Sequence, residues 1–318
     1  MDPLSEVLSL LKPRSYITAG FDAGRPWALE LDDLAGRIKC YAVVRGSCRL
    51  TLEGDATPVV VPEGACFVLP TGRTAVIGSD PGVPAVRASE VLDPNRSGEA
   101  VTYRGGGDVY LVGSRFEMGS PHAAALLRTL PPLILVETDD DRDRLRRSIE
   151  MMMAELRDGR PGADLMAQHL AHMMLVQALR LYLAARSPRE TGDTGWFAAL
   201  ADPELSGAIG AMHADPGHAW TLRELAARSG MSRTVFAERF RERSGETPIA
   251  YLTRWRMTLA AERLREGTET LARIAHSLGY ASEPAFTTAF RRVMGAPPGR
   301  YARSLAPPGS RSRRRPAG

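Results

Sequence analysis

No stretch of the chain offers the roughly 18 consecutive apolar residues that a membrane-spanning helix needs, although 44% of its 318 residues are hydrophobic. The opening, MDPLSEVLSLLKPRSY, carries acids and lacks the basic start and pure apolar run of a signal peptide. A cytoplasmic protein with no membrane partner is expected. Cysteine is scarce: Cys40, Cys48 and Cys66 form an odd count without the spacing of a zinc site. In a reducing compartment they read as free thiols. Histidine is missing from the whole front of the chain, where His122 is the first. Lysine is missing from the end: between Thr221 and Gly318 all nineteen basic residues are arginine, against eight acids. That end carries +11, and residues 1–220, with 22 basic and 29 acidic residues, carry −7. An acidic body with a basic end points to a polyanion as the partner of the end. Arginine adds bidentate contact to phosphate and to guanine.

A length of 318 residues exceeds one ordinary core, so more than one domain is expected. Residues 20–118 read as short strands, among them CYAVVRG, CRLTLEG, TPVVVP, ACFVLP and VYLVGSRF, separated by Gly, Pro and Asp turns. Such spacing suggests a barrel or sandwich. From Asp139 the period changes. DRLRRSIEMMMAELRDG predicts a helix stopping near Gly159, and ADLMAQHLAHMMLVQALRLYLAAR predicts a second. Its two apolar stripes, through Leu165, His169, Met173 and Val176 and through Leu170, Met174 and Leu181, predict burial against something large. SPRETGDTG, residues 187–195, is linker-like. The organisation expected is a barrel over 1–130, a helical dimerisation and linker segment over 131–195, an all-helical domain over 196–305, and a disordered basic tail over 306–318. The fold class is α+β with two domains.

The helical end contains a repeat. Leu222, Leu225, Ala226 and Gly230 return 49 residues later as Leu271, Ile274, Ala275 and Gly279. Beyond the turn the offset is 50, pairing Ser232, Phe236, Phe240, Gly245, Pro248 and Tyr251 with Ser282, Phe286, Phe290, Gly295, Pro298 and Tyr301. A near-constant offset over so many positions indicates internal duplication. In each copy a small alanine lets a second helix cross closely. The glycine ends the first helix in a left-handed turn. The serine caps the next, and the phenylalanines bury its inner face. Two short helices joined by such a turn are a helix-turn-helix. The outer faces are then the binding candidates: Arg233, Thr234, Ala237, Glu238 and Arg241 after Ser232, and Glu283, Pro284, Ala285, Thr287, Thr288 and Arg291 after Ser282. The stretch PIAYLTRWRMTLAAERLREG between the copies predicts a helix started by Pro248, whose length sets the distance between the two units.

These residues resemble the arabinose-regulator (AraC/XylS) family of bacterial transcription factors over roughly Asp202 to Ser304. Ala226, Gly230, Met231 and Ser232 match the first turn. Phe240, Gly245, Pro248 and Tyr251 match the run leaving the first unit, and Arg256, Ala260 and Leu264 match the connector. Ala275, Gly279, Tyr280, Phe286 and Phe290 match the second unit, with Gly295, Pro298 and Tyr301 closing it. The resemblance implies two helix-turn-helix units docking in the major groove of a double-stranded operator. It also makes a homodimer expected and RNA polymerase a candidate partner. Many family members carry arginine where this chain has Glu238. A glutamate there can accept from a cytosine amino group, and Ala285 can touch a thymine methyl.

Gly46, PEGACFVLPTG and GGGDVYLVGSRF resemble the cupin-like sensor barrel that precedes this unit in many family members. That implies an unidentified small-molecule effector, with the pocket placed at Cys40, Cys66 and Phe67. Enzymatic cupins hold a metal with clustered His and Glu, and IKCYAVVRG contains no histidine. No metal, cofactor or catalytic residue is therefore expected. His169 and His172 lie three apart on one helix without an accompanying acid, and packing is the expectation for them. The methionines 151–153 and 173–174 suit core or dimer-interface packing. The alternatives are a cupin-type enzyme with an accessory DNA-binding domain, and a thiol-based redox or electrophile sensor. The sensor needs an exposed thiol of lowered pKa, whereas strand cysteines usually pack as small apolar residues. A DNA-alkylation-repair methyltransferase would need a zinc-bound cysteine cluster that three cysteines do not supply. A purely architectural DNA binder leaves the acidic front half unused.

Overall fold

The computed structural model describes residues 2–11, 14–32, 37–92, 100–117, 130–136, 139–185 and 194–305. The expected tail over 306–318, and the expected linker apart from residues 194 and 195, lie outside them. The chain divides into two compact units, Leu11–Phe197 and a second made of Met1–Leu10 with Ala198–Gly318.

The first unit is the strand-rich one. Its strands are β1 (Arg14–Ala23), β2 (Ala28–Leu31), β3 (Arg37–Arg45), β4 (Cys48–Leu52), β5 (Val59–Val61), β6 (Cys66–Leu69), β7 (Ala75–Gly78), β8 (Val86–Arg87), β9 (Val101–Tyr103), β10 (Val109–Glu117) and β11 (Ile134–Val136). They form two sheets, ordered β11-β6-β3-β10-β1-β9 and β5-β4-β7-β2-β8. Phe21, Trp27, Leu29, Tyr41, Val43, Leu50, Phe67, Ile77 and Leu111 form one core cluster drawn from both sheets. Side chains alternate along a strand, so Cys40, Ala42, Cys66 and Val68 face the opposite way from Tyr41, Val43, Phe67 and Leu69. Gly46 lies in the connection from β3 to β4, which passes from one sheet to the other, at φ +78°, and a Cβ there would lie 2.1 Å from the carbonyl oxygen of Asp108. Only glycine fits that approach.

A short helix, α2 (Ala88–Val91), follows β8, and two long helices, α3 (Asp139–Asp158) and α4 (Ala163–Ala185), complete this unit. The long helices pack on each other, and α4 also lies against β1, β6 and β11. Ala167, Leu170, Ala171, Met174, Leu175 and Ala178 are buried. Phe116 of β10 meets the His172 ring edge-on at 5.4 Å, and His172 Nδ1 donates to the Gln168 carbonyl at 2.7 Å. The other apolar stripe stays outside, with Leu165, Met166 and Met173 exposed. Only one of the two stripes is therefore covered in the single chain.

The second unit is all helical. It holds α1 (Pro3–Leu11), then α5 (Trp196–Ala201, which begins at the end of the first unit), α6 (Pro203–Ala214), α7 (Leu222–Arg228), α8 (Arg233–Ser244), α9 (Pro248–Glu266), α10 (Leu271–Ser277), α11 (Glu283–Met294) and α12 (Pro298–Leu305). The barrel is expected from residue 1, and in the structure the start of the chain groups with the C-terminal helices. Leu4 and Val7, one helical turn apart on α1, are buried, and Glu6 Oε2 accepts from His213 Nδ1 of α6 at 3.0 Å.

Candidate nucleic-acid interface

Local chemistry builds the two repeated units. Thr221 and Glu224 form a reciprocal capping box at the start of α7. Thr270 caps α10 by accepting from the Arg273 N–H. Ser232 and Ser282 cap α8 and α11, each accepting at 3.4 Å from the N–H three residues on. Gly245 and Gly295 close those helices in the left-handed region. Phe236 and Phe240 are completely buried, as are Phe286 and Phe290. Phe240 meets Tyr251 at 5.6 Å, and Phe290 meets Tyr301 at 5.4 Å, in matching edge-on geometry.

With the phenylalanines inward, the opposite sides of α8 and α11 face solvent. From Ser232 to Arg241 and from Ser282 to Arg291, exposure follows the same position-by-position pattern. Ser232, Arg233, Thr234, Glu238 and Arg241 are exposed, and Ala237 is half-buried. Ser282, Glu283, Pro284, Ala285, Thr288 and Arg291 are exposed, and Thr287 is half-buried. The Thr288 hydroxyl donates to the Pro284 carbonyl at 2.9 Å, so its oxygen is left to accept. Arg233, Arg241 and Arg291 are exposed and make no ion pair among the described residues. The structure thus gathers each expected set on one helix face.

Other arginines of this unit are turned to internal use, which the sequence did not reveal. Arg239 donates through Nε and Nη2 to Asp202 at 2.8 and 3.0 Å. It also pairs with Glu204. Arg254 pairs with Glu246, Arg265 with Glu262, and Arg263 with Glu269. Arg239 is therefore directed back to α6, and Glu238 alone of that pair faces outward. No sequence pattern marks His213 either. It is buried, stacks on Trp255 at 3.9 Å, and shares a hydrogen bond with the Tyr251 hydroxyl at 2.5 Å.

In the strand-rich unit the three expected effector residues are not brought together. Phe67 stacks on Tyr41 at 5.0 Å within the core. Cys40 and Cys66 face the other way, with their sulfurs 3.4 Å apart. Contact with Cys40 and burial raise the Cys66 thiol well above its ordinary value, and burial pushes Cys48 up to about 12. An open cleft of about 350 Å³ lies elsewhere, lined by Glu30, Thr51, Glu53, Asp55 and Thr74. Lys39 and Arg115, opposite each other on β3 and β10, are both buried basic residues. They share the Tyr41 side of the sheet, and no sequence pattern marks them. Among the described residues no group of three His, Cys, Asp or Glu is placed to hold a metal ion.

A two-sheet cupin-like unit joined to a tandem helix-turn-helix unit defines a class of regulator. A Cupin family model matches residues 2–184, and a Helix-turn-helix domain model matches residues 225–304. The chain is 42% identical to an AraC-like transcription regulator of Streptomyces lividans over 95% of this chain and 98% of that protein. It is 39% identical to one of Streptomyces antibioticus over 96% and 100%. With the HTH-type transcriptional regulator AlkR of Acinetobacter baylyi it shares 30% identity over 82% and 86%. The chain belongs to the AraC family of transcription regulators.

Proposed function

We propose that this regulator reads a double-stranded operator through the outer faces of α8 and α11. Ser232, Arg233, Thr234, Ala237, Glu238 and Arg241 would meet one major-groove segment. Ser282, Glu283, Pro284, Ala285, Thr287, Thr288 and Arg291 would meet the next. The observation that carries this reading is the identical exposure pattern of the two helices, with exposed arginines on both. Arginines deliver both phosphate attraction and guanine readout. We further propose a cytoplasmic, non-catalytic protein that senses a small molecule in its strand-rich unit and acts on RNA polymerase. The uncovered α4 stripe of Leu165, Met166 and Met173 favours a homodimer, since two-fold pairing would bury it.

The test is a nuclease footprint of the full chain on the DNA upstream of its own gene and on duplexes selected from a random pool. Protection of two adjacent major-groove turns per subunit supports the reading. Protection of a single turn, or binding without sequence preference at any salt concentration, overturns it.

A further inference from the structure

Arg256 stands midway along α9, and its guanidinium serves two turns at once. Nε donates to the carbonyl of Pro216 at 2.6 Å, and Nη2 donates to the carbonyl of His218 at 2.7 Å. Those carbonyls belong to the segment that leads from α6 into the first helix-turn-helix. The same guanidinium lies 5.8 Å from the ring centre of Tyr280, the residue that follows the turn glycine of the second. The two turns also touch directly. A Cβ on Gly279 would come within 2.3 Å of the Gly217 carbonyl oxygen, and a Cβ on Gly217 within 2.6 Å of the Ser277 carbonyl oxygen. Gly230, the counterpart of Gly279 in the first unit, has a similar positive φ but nothing within 4 Å of its Cβ position. The copies are alike locally, and only the second turn is docked.

The consequence lies in how α9 joins the units. Its first half packs with the first unit, through Tyr251 on Phe240 and Trp255 on His213. Its second half packs with the second unit, through Met257, Ala260 and Ala261 in the cluster that holds Ile274, Phe286 and Phe290. Two bodies attached to one helix can still twist and bend about it. A contact off the helix axis removes that freedom, and the Arg256 junction is such a contact.

We propose that Arg256, together with the close Gly217–Gly279 approach, is the brace that fixes the distance and angle between α8 and α11, so that this regulator requires one spacing between its two operator subsites. Arg256 is then a positioning residue that touches no base. The inference rests on the reading of α8 and α11 as the DNA-contacting helices. On B-form DNA one added base pair moves the second subsite by roughly a tenth of a turn, which a braced pair of helices cannot follow.

The test uses the full chain and a duplex that the wild-type protein selects from a random pool. That duplex is compared with versions carrying one or two base pairs between the protected subsites and with one whose second subsite is scrambled. The brace variants are Arg256→Ala and Gly217→Ala, which loosen the junction from its two sides. The wild type should lose about tenfold or more in affinity per inserted base pair, the scale of a mismatched position. The variants should bind the native duplex less well, lose under about threefold per insertion, and match the wild type on the scrambled duplex. A second readout needs no DNA: spin labels on Glu242→Cys in α8 and Arg292→Cys in α11, both exposed and equivalent in the repeat. One narrow distance should broaden in both brace variants. An unchanged distance with a wild-type spacing penalty overturns the proposal, as does an equal loss on all duplexes, which would mean plain unfolding. A wild type that itself ignores spacing overturns the two-reader premise, and the brace with it.

Discussion

Arg239 and Asp202, 37 positions apart, are joined by two parallel hydrogen bonds of 2.8 and 3.0 Å. Asp202 also caps α6 by accepting from the Glu204 N–H at 3.0 Å, and Arg243 approaches the same carboxylate at 3.4 Å. One buried acid therefore ties the first recognition helix, α8, to the start of α6. Asp202→Ala should destabilise the helical unit by roughly 2–3 kcal/mol. That is below the usual cost of a broken buried pair, because Arg239 is about a third exposed. Denaturant unfolding measures it, and a change below about 0.5 kcal/mol would show the clamp to be incidental.

On the reading faces, Arg233→Ala and Thr288→Ala should each cost about 1–3 kcal/mol on the operator and much less on competitor DNA. Competition binding at two salt concentrations separates the cases. Equal losses on both kinds of DNA, with a shallower salt slope, would place these side chains on phosphates.

His213 makes stability depend on pH. Its ring contacts Glu6, Tyr251 and Trp255, with Arg254 nearby. Burial lowers its pKa, and Glu6 opposes the shift without cancelling it. Below about pH 6.5 the unfolded chain then binds the proton more readily than the folded one. This contribution is present above that value and is lost as pH falls through the lowered native pKa. The melting temperature should drop between pH 7 and pH 5, more steeply in Glu6→Gln and less in His213→Gln. An unchanged slope in His213→Gln would assign the dependence to other groups.

The thiols should be silent in the native protein. Cys40, Cys48 and Cys66 are all buried, and Cys48 and Cys66 are held in the thiol form. Reaction with an aromatic disulfide at pH 8 should be slow until denaturant is added, and three equivalents should then react. A fast native equivalent would instead favour the thiol-sensing alternative.

The uncovered side of α4 should carry self-association. Met173→Glu, and separately Leu165→Glu, places a charge on an already exposed position, so folding should survive while the dimer weakens by tenfold or more, the scale of about 1.4 kcal/mol. Sedimentation across a concentration series reads this, and unaltered association in both variants would move the interface elsewhere.

What this sequence determined by itself was whatever depends on near neighbours. Caps at Thr221, Ser232, Thr270 and Ser282, left-handed closures at Gly245 and Gly295, and phenylalanines four apart on α8 and α11 all act within a turn or two of helix. Their repetition at a nearly constant offset made the tandem motif and its outward faces legible. The alternating strands of the barrel were legible for the same reason, and the turning of Arg239 inward to Asp202 was not. Tertiary structure decided which arginines are spent internally, because Asp202 and Arg239, or Arg256 and Pro216, meet only after distant segments pack. It also placed α1 with the C-terminal helices, set Phe67 opposite Cys40 and Cys66 across one sheet, and gave Gly230 and Gly279 different surroundings. Local rules treat those two glycines as equals, and only the packing of the chain around Gly279 distinguishes them.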